Sequence, residues 1–256
     1  MTKGYYKADD VSMMLTKLVE LSEQRRKLDR LLLLHDFNSQ KGKEHCHHGL
    51  LRRIKVLSRN VENVFNLLLP DMEGRPSSEV TIDATTNLHA FYINLFGACD
   101  NLAWILVFEQ NIRTTAGTDI PRNHVGVRRK NRSVRAGMSN ELKAEFAKFE
   151  DWFDHVEEFR DSLAHRIPLY IPPFVVKSDR AEDYHRLDDE AWAALQNYDV
   201  EGSKEKREEQ KALTIFRPWF THSFSEGSPH MAIHPQLLAD FGTILELSEA
   251  VAKEIE

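Results

Sequence analysis

Arg160-Asp161-Ser162-Leu163-Ala164-His165 brings together the residue types that metal-free phosphate chemistry needs. A histidine can take the proton from a ribose 2′-hydroxyl or protonate the leaving oxygen. An arginine can hold a phosphate and stabilise the charge that develops on it. Attack by the 2′-hydroxyl would leave a 2′,3′-cyclic phosphate and a free 5′-hydroxyl. Asp161 and His165 are four residues apart, so they share a helix face and Asp161 could orient the imidazole. Spacing alone is a weak signal, because Arg30/His35, Arg180/His185 and Arg217/His222 share it. Arg30 runs into the apolar stretch 31–34. Arg180 opens a loop or helix start, and Arg217 precedes Pro218 in a strand-like segment. Only Arg160 is followed by a polar residue near the end of a long amphipathic pattern. The competing reading is electrostatic. Cations near a helix C-terminus are stabilised by about 0.3–1 kcal/mol each, and Arg160 could simply pair with Glu157 or Asp161.

Other residues invite chemistry. Between residues 122 and 135 six cations fall without an acid among them, including Arg128, Arg129, Lys130 and Arg132. Such a cluster suits contact with an RNA backbone, or a solvated loop. It precedes a helix expected over residues 139–165. About 26 residues at 1.5 Å rise would leave the helix start nearly 40 Å from the motif unless the chain folds back. His45, Cys46, His47 and His48 suggest zinc, but four almost consecutive residues cannot all point at one tetrahedral ion, so no metal is expected. Nothing in its context marks Cys46 as a nucleophile. No glycine-rich phosphate loop or serine-centred elbow occurs, and no cofactor is expected.

Positioning these groups requires helices. Apolar residues at helical spacing predict helices over residues 9–34, with Asp9 or Asp10 as cap, and over 50–69, stopped at Pro70. Residues 38–48 are polar and turn-like. A third helix, residues 82–110, is apolar on nearly every side and should be central. Gly97, Ala98 and Cys99 would let a neighbouring helix approach it closely. Asp100 and Asn101 are polar groups on that apolar helix and need partners. Arg160 would suit, or a neighbouring helix. The fourth helix carries Leu142, Phe146, Phe149, Phe153, Val156 and Leu163 as a continuous apolar stripe of about seven turns. Ile167 precedes Pro168, so that helix must end close to His165. Residues 169–176 read as extended, 181–197 as a short helix and 201–211 as charged and solvated, either helical or mobile. Residues 214–224 and 230–233 read as strands. A last helix opens at His234-Pro235 with proline in its first position. The expected class is mainly α. A helical bundle (1–168) is followed by a small strand-containing insertion (169–233) and a C-terminal helix (234–256) that packs back on the bundle.

With its central aromatic helix followed by the motif helix, Arg160-Asp161…His165 resembles the Arg-polar-x(3–5)-His motif of the HEPN superfamily. The resemblance covers roughly residues 9–168, with the last helix a further candidate. It implies a helical bundle and a metal-independent endoribonuclease in which Arg160, Asp161 and His165 act. It also implies a homodimer with the motif at its interface, a bacterial toxin or defence role, and an antitoxin or other partner protein. Some members of the superfamily only bind nucleotides, RNA or proteins. Residues 169–233 depart from the minimal bundle.

Composition bounds these readings. The chain has 256 residues, 41% of them apolar and 29% charged, which is ordinary for a globular protein. The net charge of −6 argues against the whole surface coating nucleic acid. The polar N-terminal stretch lacks an apolar run, so no signal peptide is expected. The apolar stretch 91–108 is broken by Asn94, Asp100 and Asn101, which favours a core helix over a membrane span. Two cysteines make no disulfide framework, so a cytoplasmic protein is expected.

Overall fold

A computed structural model describes residues 5–223 and 225–256. The first four residues of the polar N-terminal stretch, and Phe224 at the end of an expected strand, lie outside the described residues. The chain is mainly helical, with two small two-stranded antiparallel sheets ahead of the last helix.

Helix α1 spans Ala8–Leu34. Asp9 and Asp10 lie in its first turn and not at its cap: Lys7 is the N-cap and makes no side-chain bond. They can still favour the partial positive charge of the helix N-terminus. Residues 38–48, expected as a turn, are largely helical. Ser39 caps α2 (Gln40–Glu44), and a π-helical turn (His45–Leu50) leads directly into α3 (Leu51–Leu67). The cause is distant in sequence. The Glu109 carboxylate accepts the backbone N–H groups of Asn38 and Ser39 at 2.9 and 3.1 Å, fixing the chain just ahead of α2.

Helix α4 (Ser78–Glu109) is capped by the Ser77 hydroxyl, which accepts from Val80 N. It is long and apolar enough to cross a membrane. In this fold its Leu88, Phe91, Tyr92, Leu95, Leu102 and Ile105 are buried in one core with side chains from α1, α3, α7 and α10. Gly97 serves a close approach, but to a side chain: the Arg53 guanidinium lies where a Cβ would stand.

The expected continuous motif helix is broken. Ser139 caps α6 (Asn140–Ala147), and α7 spans Glu150–His165. Between them Lys148 N and Phe149 N bond three residues back, to Glu145 O and Phe146 O, and Phe149 leaves helical geometry (φ −112°, ψ 17°). The apolar stripe runs on through the break, since Phe146 and Phe153 still stack at 5.8 Å. Periodicity therefore could not reveal it. The short helix α5 (Arg132–Ala136) precedes α6.

Residues 169–233 carry β1 (Val175–Val176) paired with β2 (Thr214–Ile215), and β3 (Trp219–Phe220) paired with β4 (Met231–Ala232). Between β1 and β2 projects a hairpin of α8 (Ala181–Gln196) and α9 (Val200–Ala212), packed mainly on itself. Helix α10 (Ile233–Glu254) starts earlier than expected, so Pro235 is its third residue. A proline is tolerated there because the first N–H groups of a helix have no partner within it. The preceding residue, His234, is fully buried, with Nε2 2.5 Å from Leu68 O.

Asp240 is a carboxylate with no solvent exposure. Its carboxylate accepts from Tyr92 Oη of α4 (2.9 Å), Trp152 Nε1 of α7 (2.9 Å) and Gln236 Nε2 of α10 (2.8 Å). Asp240→Ala strands three donors. It should lower unfolding free energy by at least about 2 kcal/mol in urea titrations, and a loss below about 0.5 kcal/mol would contradict this role. His234 supplies a pH test. Burial lowers its pKa from 6.5 to about 4, so the unfolded chain takes up the proton first. Stability should fall by on the order of 3 kcal/mol as pH drops from about 6.5 to about 4. His234→Gln should flatten that fall, whereas an unchanged slope would refute the assignment.

Candidate functional site

Helix α4 carries Phe96, Asp100, Trp104 and Phe108 at four-residue spacing, one slowly turning stripe. Two arginines from different parts of the chain converge on its first ring. Arg160 of α7 stands 4.1 Å from the Phe96 centroid, and Arg128 stands 5.3 Å from it. A third, Arg53 of α3, donates through Nε to Asn101 Oδ1 and through Nη1 to Asn94 Oδ1, each at 3.1 Å. Asp100 sits in the field of all three. Burial raises its pKa, and Arg128, Arg160 and Arg53 pull it down, leaving it above the ordinary carboxylate range.

The basic segment reaches this place by folding back. Ion pairs tie residues 128–135 to α7. Arg128 and Lys130 pair with Glu157. Arg135 pairs with Glu150 at 2.6 Å. These two glutamates are seven residues apart on one face, so they fix the segment's register. The fold-back named as the exception to the nearly 40 Å separation is what occurs, and the helix is also broken at residues 148–149. Glu157 itself is held below its usual pKa. Burial would raise it, but bonds from Arg128 and Lys130 outweigh that.

The sequence-expected residues divide as follows. Arg160 pairs with Asp161 at 2.7 Å. Asp100 joins the arginine cluster, whereas Asn101 bonds Arg53 and His45 and not Arg160. Arg128 and Lys130 join the cluster. Arg129 keeps an 80% exposed side chain while its backbone N–H donates to Glu150 at 3.3 Å and its Nε lies 4.0 Å from that carboxylate, and Arg132 is exposed on α5. His165 is exposed at the end of α7. Being five residues beyond Arg160, it lies roughly 140° round the helix and about 7.5 Å along it. The end of α7 is fastened on either side of His165. Glu158 lies 3.3 Å from the buried His222, and Arg166 lies 3.6 Å from Glu226.

The residues of the His45–His48 run diverge. His45 stacks on Trp104, Cys46 is buried with its thiol pKa pushed by burial to about 12, His47 Nε2 meets Leu32 O, and His48 meets Arg52. Sequence reasoning missed Arg53, Phe96 and Glu157 as parts of the site. The four-residue stripe on α4 was a readable signal for Phe96. Nothing local marks Arg53 or Glu157. Comparison with family models, curated proteins and solved structures gave no match.

If Arg128 acts on Asp100 as this geometry requires, Arg128→Gln should raise the Asp100 titration midpoint further. Carbon-detected NMR of the side-chain carboxyl reads this directly, and an unmoved or lowered midpoint would rule the coupling out.

Proposed function

We propose that this chain is a HEPN-like, metal-independent endoribonuclease that cleaves RNA by 2′-hydroxyl attack. One observation carries the reading: the motif arginine and the basic segment, 32 residues apart, share the Phe96 ring. A phosphate entering there would meet Arg160, Arg128 and Lys130 together, displacing their pairing with Asp161 and Glu157. Charge-assisted bonds to phosphate oxygens would then neutralise charge developing in the transition state. His165 supplies the proton transfer. It takes the 2′-hydroxyl proton or gives one to the departing 5′-oxygen, leaving a 2′,3′-cyclic phosphate and a 5′-hydroxyl.

The roughly 140° between Arg160 and His165 favours a cleft shared by two copies, in which one chain's arginine works beside the other's histidine. A cytoplasmic setting, a bacterial toxin or defence role and a cognate antitoxin belong to the same proposal. A second reading, a non-catalytic module that binds RNA, a nucleotide or a protein, is favoured by the contacts that already engage Arg160, with Phe96 and Asp161.

Incubation of mixed RNA with wild type and with His165→Ala separates the two. Catalysis predicts cyclic-phosphate ends from wild type and a rate roughly 10²- to 10⁴-fold lower from the variant. Equal cleavage by both, or none by wild type, would end the catalytic reading. Binding that survives His165→Ala and weakens with Arg160→Gln is the signature of the second.

A further inference from the structure

The stripe on α4 continues past the arginine cluster into a second, differently built place. The π turn (His45–Leu50) lays the His45 ring against Trp104, with centroids 5.3 Å apart and planes 19° apart. Phe108 completes the set, 5.3 Å from Trp104 at 18° and 5.5 Å from His45 at 30°. Three near-parallel rings form a stepped aromatic wall. All three are half-buried, and they line an open cavity of about 630 Å³. A second cavity of about 590 Å³ shares Lys41, Trp104, Phe108 and Arg122 with the first. The wall therefore stands in a groove.

The charges fit the rings. Lys41 stands 5.5 Å from the Phe108 centroid. Arg122 is exposed and makes no ion pair among the described residues, unlike Arg128 and Arg160, which are both paired. Glu44 is the carboxylate on the rim of the first cavity. The Trp104 indole N–H has no hydrogen-bond partner among the described residues, so its polar edge is available. Burial lowers the His45 pKa, disfavouring the charged form of that ring. Asn101 links the two places: its amide lies between Arg53 Nε (3.1 Å) and His45 Nδ1 (3.4 Å).

We infer that this groove is a nucleobase subsite: an unpaired base of single-stranded RNA stacks on the Trp104–Phe108–His45 wall, and Lys41 and Arg122 hold the adjoining phosphates. Near-parallel rings match the flat face of a base, and sequence-tolerant stacking flanked by cations is how proteins grip unpaired nucleic acid. Phe96 and Trp104 are about 12 Å apart along α4, so one strand can reach the arginine cluster and the wall together. The inference extends the RNA reading above but requires no cleavage. It predicts a preference for single strands over duplex, because paired bases keep their faces within the stack.

The probe is a fluorescein-labelled 2′-O-methyl oligoadenylate of about ten nucleotides, which 2′-oxygen attack cannot cleave, read by anisotropy with the full chain. Trp104→Ala should weaken binding roughly 5- to 150-fold. Trp104→Phe should restore most of it, and affinity for a duplex of the same length should not depend on Trp104. Lys41→Glu with Arg122→Glu, two exposed positions, should weaken binding and flatten its salt dependence even if Trp104→Ala fails to fold. The subsite is overturned if wild type does not bind the oligonucleotide. It is equally overturned if folded Trp104→Ala binds as wild type does, or if Trp104→Ala weakens duplex binding equally. Loss of affinity in Trp104→Ala alongside a wild type that cleaves nothing supports the groove while removing the catalytic reading. His165-dependent cleavage with affinity indifferent to Trp104 removes the groove alone.

Discussion

A carboxylate sealed from solvent must be satisfied from within, and in this protein Asp240 is satisfied by three helices at once. Its partners are all donors: a phenol from α4, an indole from α7 and an amide from α10. Burial pushes its pKa up, while His155 and those three donors oppose it. An ionised Asp240 is what three converging donors accommodate best, since a carboxylate only accepts. The consequence reaches the candidate site. Trp152 ties the first turns of α7 to α10 and, through Asp240, to Tyr92 of α4. Two turns further along α7, Arg160 then has to pass over Phe96, one turn beyond Tyr92. The arginine is placed by the rigid helix whose start Asp240 holds.

Charge is distributed unevenly around that frame. The α8–α9 hairpin, residues 181–212, holds ten acids against five lysines and arginines, so it carries −5 of the chain's −6. The rest of the chain is close to neutral, with a local group of cations around Asp100. Bulk charge therefore says little about what the bundle can bind. The field of Arg53, Arg128, Lys130 and Arg160 acts locally, against Asp100, Glu157 and Asp161, and falls off within about 8–10 Å at physiological salt.

The bundle was legible wherever its cause is local. The Ser139 hydroxyl caps α6 where the apolar stripe is expected to begin, whereas Ser77 caps α4 four residues ahead of its expected start. Pro70 and Pro168 end segments that cannot continue. The central position of α4 follows from its lack of a polar face. What the sequence concealed depends on partners far along the chain. Residues 38–48 look like a turn until Glu109, about seventy residues on, accepts the N–H groups of Asn38 and Ser39. The break at 148–149 leaves the apolar spacing intact. Asp240 reads as one more acid on an amphipathic helix, and only the packing shows that Tyr92, Trp152 and Gln236 all aim at it. The motif was visible as Arg160 and His165. Of the company it keeps, Glu157 lies on the same helix, whereas Arg53, Phe96 and Arg128 come from three separate stretches of chain that only tertiary structure unites.

In the proposed function, Arg128 and Arg160 form one phosphate-binding place on α4. Its most direct test is single-stranded RNA affinity measured across salt concentrations for wild type, Arg128→Gln, Arg160→Gln and the double variant. Each arginine that neutralises a phosphate contributes about 0.7 to the slope of log affinity against log salt for single strands. The account predicts a slope shallower by about 1.4 in the double variant than in wild type. A slope that stays at the wild-type value in all three variants would contradict it.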